Sequence, residues 1–193
     1  TLAIEVYAIN EKVIGNGGIS TYEKSPLRFF QRSSQNHSTI IVDNKNSSQV
    51  WSSFRLAKSA KIQEQVEACD HNSAFMVASH DGYSTTLKRV EIKRKVTVKY
   101  DTISILDTLD GTSKEFTSRY ILHPEINVIS SGLQGDLILE TPMKKIIKLQ
   151  IHSGQLNFAE SSYSEGFGSN VPTKVLDIFS QNGKTEITLQ PLP

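Results

Sequence analysis

Cysteine is nearly absent from this chain: Cys69 is the single one in 193 residues. That excludes an internal disulfide and any metal site built from paired cysteines. Long apolar runs are missing too. None approaches the roughly 18 residues of a membrane-spanning helix, so no membrane span is expected. Charge of one sign is also lacking, with 21 Lys and Arg against 20 Asp and Glu for a net charge of +1. So even a balance provides no global field toward nucleic acid or an anionic surface, and no nucleic-acid partner is expected. No Gly-rich phosphate loop and no nucleophile elbow occurs. A basic-then-apolar leader is not seen either. The chain opens at Thr1, within Thr1-Leu-Ala-Ile-Glu-Val-Tyr-Ala8, which already reads as a strand. Such an opening predicts a fragment of a longer protein, with any signal peptide lying upstream.

What is present is alternation. At 193 residues, 37% hydrophobic and 21% charged, the chain can bury one sizeable core or two small ones. Ile4, Val6 and Ala8 alternate with polar neighbours, as do Val96, Val98 and Tyr100, followed by Ile103 and Ile105. Ile146, Leu149 and Ile151 mark another strand. Val175-Leu-Asp-Ile-Phe179 and Ile187-Thr-Leu189 flank Gln181-Asn182-Gly183-Lys184, and Asn-Gly between such runs predicts a hairpin with positive φ at both central residues. Asp81-Gly82 and Asp110-Gly111 are further turns. Residues 59–70 contain good helix formers, yet Ile62, Glu64 and Val66 also fit one face of a strand. The β context on both sides favours a strand. Many short strands between Ser-, Asn-, Gly- and Thr-rich turns predict an all-β, antiparallel β-sandwich. No repeat, low-complexity tract or linker interrupts residues 1–193, so one domain is expected.

The most informative stretch is Arg32-Ser-Ser-Gln-Asn-His37-Ser-Thr-Ile-Ile-Val-Asp43, followed by Gln49-Val-Trp51-Ser-Ser-Phe54-Arg55. A histidine at the mouth of a strand, flanked by Arg32, Asn36 and Trp51, fits a metal or a sugar site. Other elements follow in order: Lys12-Val-Ile-Gly-Asn16-Gly-Gly18 and Ile19-Ser-Thr-Tyr22, then His80-Asp-Gly-Tyr83 and Ile105-Leu-Asp107-Thr-Leu-Asp110-Gly111. Tyr120-Ile-Leu-His123-Pro124 and Tyr163-Ser-Glu-Gly-Phe167-Gly168 complete the series. In order and spacing these resemble the β-domain of the heparinase II/III-like polysaccharide lyases, through most of the chain. There an Arg-Ser-Thr-x-x-His-Asn-Thr segment leads into Val-Asp-Gly, and a strand ends in Val-Asp-Pro-Gly. A Ser-Glu-x-Trp-x-x-Phe-Arg segment of that family matches the residues around Trp51.

The resemblance implies an N-terminal α/α toroid packed against a C-terminal β-sandwich, with acidic polysaccharide cleaved by β-elimination between them. The toroid and an acidic glycan are then the expected partners. The substrates implied are heparin-like glycosaminoglycans, alginate or bacterial exopolysaccharides, and the expected location is the periplasm or outside the cell. The family's catalytic Asn and Tyr come mainly from the toroid, and a catalytic His lies just upstream of the first strand, before Thr1. This piece alone is therefore expected to be inactive. Tyr22 matches a Tyr that lines the lyase cleft, and Tyr22 and His37 become candidate cleft residues. Arg32, Asn36, Tyr22 and Trp51 become candidate substrate contacts. Several members hold a structural zinc through an upstream His, the Asp of Val-Asp-Pro-Gly and the His matching His37. Asn16 takes the place of that Asp and is a poorer ligand. Little or no zinc is expected in this chain, with His37 hydrogen-bonded to its neighbours instead.

Each residue also has a plainer reading. Tyr22 fits a turn or core tyrosine, and Arg32 fits a brace for its loop as well as a carboxylate or sulfate ligand. Trp51 and Phe54 read first as core, with a sugar platform as the alternative. Arg55 reads as structural. His80 and Tyr83 read as surface-turn residues, and Asp107 and Asp110 as turn caps rather than a catalytic pair. His71, His123 and His152 show no metal-like spacing. The basic run Lys88-Arg-Val-Glu-Ile-Lys-Arg-Lys95 reads as the solvent face of a strand or as a patch for an acidic polymer. The rival to a lyase domain is a non-catalytic carbohydrate-binding or structural module.

Overall fold

The computed structural model describes residues 1–83, 90–111, 113–131 and 136–193. Lys88 and Arg89 of the basic run lie outside the described residues. In chain order the strands are β1 (Val6–Ala8), β2 (Glu11–Gly15), β3 (Ile40–Ile41), β4 (Ile62–Cys69), β5 (Ser73–His80), β6 (Glu91–Lys99) and β7 (Thr102–Asp110). Then come β8 (Phe116–Leu122), β9 (Asn127–Ser131), β10 (Leu137–Glu140), β11 (Ile146–Ser153), β12 (Gln155–Tyr163), β13 (Val171–Ser180) and β14 (Lys184–Pro191). They form two antiparallel sheets. One runs β1-β2-β8-β13-β12 with β3 added beside β8, and the other runs β4-β5-β6-β7-β14-β11-β10-β9. The ambiguous window at 59–70 is strand β4.

The sandwich follows from period two. Every second residue of β13 (Val171–Ser180) and β14 points inward, and Leu176, Ile178, Ile187 and Leu189 are fully buried. They join Ile14, Ile105, Tyr120, Leu122, Leu139 and Leu149 in the core between the sheets. A satellite cluster of Ile40, Val42, Tyr83, Val90, Ile92, Leu109 and Phe116 extends it.

The Asn182-Gly183 turn corrects the sequence expectation. It does not close a hairpin, because β13 and β14 belong to different sheets. Only Gly183 takes a positive φ, of 83°. The turn is a crossover, and it is tied to the neighbouring crossover between β7 and β8. Gly183 N donates to Lys114 O at 2.9 Å, and Leu109 N donates to Gly183 O at 3.0 Å. The Asn-Gly signal reports a tight bend; whether the strands then pair depends on the twist and layer they enter. Two-residue hairpins lie elsewhere: at Ile9-Asn10, where Ala8 faces Glu11 and both central residues take positive φ, and at Tyr100-Asp101, where Lys99 faces Thr102.

A second correction concerns Arg94, Asp107, His80 and Tyr83. Arg94 is not on the solvent face. It shares parity with Val90, Ile92 and Val96, so the pleat turns it inward with them. There its Nε and Nη2 donate to the two carboxylate oxygens of Asp107 at 2.7 Å each, and Nη1 donates to Leu2 O and Ser38 O at 2.9 Å. Asp107 is thus no turn cap. It sits fully buried in β7, also accepting from Ser118 Oγ and Tyr120 OH. Burial works to discharge Arg94, but Asp107 outweighs it and keeps the guanidinium charged. Asp110, at the exposed end of β7, pairs with Lys114 at 3.5 Å. His80 and Tyr83 are buried rather than on a surface turn, and Tyr83 OH donates to Ile40 O at 2.9 Å. Burial pushes the Tyr83 phenol up to about 12 and the His80 imidazole down to about 4.

Candidate functional site

Between β2 and β3 the chain leaves the sheets and forms the one short helix among the described residues, α1 (Pro26–Gln31). Ser25 caps it, its Oγ accepting from Arg28 N at 3.2 Å, and Pro26 stands at the first position, where no N–H is needed. A single 3₁₀ turn at Ser34–Asn36 follows.

This excursion is fastened to the Asn16-Gly17-Gly18 segment. Asn16 Oδ1 accepts from Ser38 N at 3.0 Å, and Asn16 Nδ2 donates to Ile4 O at 3.3 Å. Gly17 N donates to Asn36 O at 2.9 Å, and Asn36 Nδ2 donates to Gly18 O at 3.1 Å. Ser38 Oγ donates to Gly15 O at 2.6 Å. Asn36 is fully buried, and a Cβ on Gly17 would stand 1.9 Å from its Oδ1. The close approach explains the glycine. Two segments that the resemblance singled out separately are thus one packed unit.

A cavity of about 320 Å³ opens beside that unit, lined by Arg28, Arg32, His37, Asn46, Ser47 and Leu56 among others. No Asp or Glu lines it. Burial lowers the pKa of His37, so its ring is neutral near pH 7. Contrary to expectation, that ring makes no hydrogen bond among the described residues. Arg32 Nη1 donates to Ser52 O and, at 3.5 Å, to Arg55 O. Its guanidinium ties the loop before His37 to the 51–55 segment.

Aromatic rings form a rim beside the cavity, meeting it through Arg28. Trp51 and Phe54 are not core residues; they are 56% and 59% exposed. Tyr22, also exposed, lies 4.8 Å from Phe167 and 6.3 Å from Phe54, between ring centroids. Arg55 stands over the Trp51 ring at 5.3 Å. A larger hollow of about 800 Å³ is bounded by Lys24, Pro26, Phe29, Trp51, Phe54 and Arg55. Exposed rings beside a hollow suit the faces of sugars, which present C–H groups to aromatic surfaces.

Arg28 was missed by the sequence reasoning. It is only 6% exposed, and its guanidinium carbon lies 4.9 Å over the Tyr22 ring and 5.6 Å over that of Phe54. It joins Tyr22, on the rim, to His37, across the cavity. A signal was available: Arg28 and Arg32 stand one helical turn apart in a segment opened by Ser-Pro.

The zinc implied by the resemblance does not fit these residues. Both ends of the Asn16 amide are spent on backbone groups, and no group of three His, Cys, Asp or Glu among the described residues could hold a metal. No helix among them is long and apolar enough to cross a membrane. A third cavity of about 520 Å³, between β1 and the β4–β6 arm, is largely apolar and carries no Arg or His.

Comparison with known proteins agrees with this architecture. No curated protein matches the sequence. Among solved structures, the heparan sulfate lyase HepC of Pedobacter heparinus superposes with a TM-score of 0.79 at 14% identity, over 98% of this chain and 30% of that one. A heparinase III structure superposes with a TM-score of 0.77 at 15% identity, again over 98% of this chain and 30% of that one. The chain therefore spans about 30% of the length of these lyases, and at such identities the likeness speaks for the fold. The model of the family "Heparinase II/III-like, C-terminal" matches residues 1–190, and the chain belongs to that family.

Proposed function

We propose that this chain is the C-terminal sandwich of a polysaccharide lyase, and that it completes a cleft in which an acidic, uronate-containing glycan is cleaved by β-elimination. One observation carries the reading: a carboxylate-free cavity lined by Arg28, Arg32 and His37 adjoins exposed aromatic rings that Arg28 contacts. The partner domain is a helical toroid of the same protein, and the place of work is the periplasm or the exterior, where such glycans are met.

The chemistry requires loss of the C5 proton, formation of the C4–C5 double bond and departure of the C4 oxygen with a proton. A neutral imidazole can accept a proton, and an exposed phenol can pass one to the leaving oxygen. His37 and Tyr22 are the groups on this chain suited to those tasks. Cations beside the uronate carboxylate stabilise the enolate-like charge that builds up as the proton leaves.

The test is ultraviolet detection of unsaturated uronate, using the full chain that carries this domain and a panel of heparan sulfate, alginate and bacterial exopolysaccharide. Product from one glycan, lost in His37→Ala, supports the reading. Binding without product would establish the second reading, a non-catalytic carbohydrate-binding module. Asn16, standing where the family's Asp ligand is expected, favours that second reading.

A further inference from the structure

Among the described residues Arg28 and Arg94 are buried, and Arg32 and Arg119 are half-buried. Arg94 grips Asp107 through Nε and Nη2, and Arg119 grips Asp177 the same way, at 2.8 and 2.7 Å. Arg28 has no such partner. Its Nε and Nη1 are buried and make no hydrogen bond, and no Asp or Glu lines the cavity it borders. The nearby Gln31 side chain is committed to Ser20, its Oε1 accepting from Ser20 N at 3.2 Å and its Nε2 donating to Ser20 Oγ at 2.7 Å. The Tyr22 and Phe54 rings attract the positive charge, but a ring face offers no lone pair to an N–H in the guanidinium plane. A buried cation in this condition destabilises the free protein.

We infer that Arg28 is the oxyanion-binding residue of this domain: its unpaired N–H groups receive a carboxylate or sulfate of the acidic sugar seated on the Tyr22–Phe54–Phe167 rim. The inference rests on the glycan reading above and deepens it, by giving the anionic group to Arg28. Arg32 differs in that its Nη1 is spent on the carbonyls of Ser52 and Arg55, which ties its guanidinium to the 51–55 segment. On the basic face of β6, Lys95 stands over the Phe75 ring and does not line this cavity. The inward member of that strand, Arg94, is consumed by Asp107, and Lys93 is paired with Glu64 at 2.7 Å. Among the buried arginines of the described residues, Arg28 alone combines free donors with an aromatic platform. Planar donors facing a planar or tetrahedral oxyanion make charge-assisted bonds, which are among the stronger non-covalent contacts available to a sugar site.

The experiment uses the full chain with Arg28→Met, which keeps the apolar stem, and Arg28→Lys, which keeps the charge. Calorimetry is run with three tetrasaccharides: unsulfated glucuronate-containing, its sulfated counterpart, and a desulfated, carboxyl-reduced one. The melting midpoint without glycan is recorded for each variant. Arg28→Met is expected to weaken acidic probes by about 10- to 100-fold and the neutral probe by less than about twofold, with Arg28→Lys recovering part of the loss. Loss on both acidic probes assigns the carboxylate; loss on the sulfated one alone assigns the sulfate. The midpoint of Arg28→Met is expected to be unchanged or raised. Wild-type affinity in Arg28→Met would overturn the inference while leaving the lyase reading intact. A midpoint lowered by several degrees would also overturn it, because Arg28 would then be paired with a carboxylate from elsewhere in the chain. A wild-type chain that neither binds nor cleaves any acidic probe would sink the glycan reading itself.

Discussion

Arg94 and Arg28 are both buried, and their surroundings differ in one respect. Arg94, between the sheets, makes four hydrogen bonds to Asp107 and two carbonyls. Arg28, in the excursion between β2 and β3, leaves Nε and Nη1 without an acceptor. The first is a closed arrangement whose parts all belong to the fold. The second is open, and its incompleteness is where function is to be sought. Burial of a charge says little by itself; the completeness of its partners separates a structural ion pair from a binding group.

The largest effect is expected at the closed arrangement. Asp107→Ala strands a buried guanidinium and removes an acceptor shared by Ser118 and Tyr120. Denaturant titration should show a loss of about 3–5 kcal/mol. A loss below about 1 kcal/mol would mean that Arg94 is not held as described.

Acid should act on the same half of the molecule. The His80 pKa, ordinarily 6.5, is pushed down to about 4 by burial foremost. The unfolded chain therefore takes up this proton first as pH falls. Stability from this group is complete above pH ~6.5, is lost between there and pH ~4, and amounts to about 3 kcal/mol. His80→Gln should flatten that part of the stability–pH curve, and an unchanged slope would contradict the assignment.

A smaller effect is expected where the two regions join. Gly17→Ala forces a methyl group against Asn36 Oδ1, so the Asn36 turn must shift. About 1–3 kcal/mol should be lost. Because the shift moves the 33–38 segment, glycan affinity should fall in the same variant. The smallest expected effect on stability is that of Arg28→Met, at zero or a slight gain.

Much of the sandwich was legible, because period two is imposed by the pleat and survives in residues such as Leu176, Ile178, Ile187 and Leu189. The inward turn of Arg94 was legible by the same rule, from its parity with Val90, Ile92 and Val96, but its charge suggested solvent. Its partner Asp107 lies on the next strand, and a contact across strands leaves no local mark. The Asn182-Gly183 bend was visible, but its crossover character was not, since the layer a strand joins is decided by its neighbours. At the site, Arg32, Asn36, His37 and Trp51 stood out together in sequence, and Tyr22 came from the family resemblance. The exposure of Trp51 and Phe54 was not, because large rings ordinarily favour the core and only the surrounding chain decides. Arg28 escaped notice because its meaning lies in what it lacks, which only three-dimensional accounting reveals.

The most direct test is a side-by-side unfolding titration of Arg94→Met and Arg28→Met in the full chain without glycan. Arg94→Met should lose several kcal/mol by leaving Asp107 buried and unpaired, while Arg28→Met should lose none. Equal losses in the two variants would contradict the distinction between a closed and an open buried arginine.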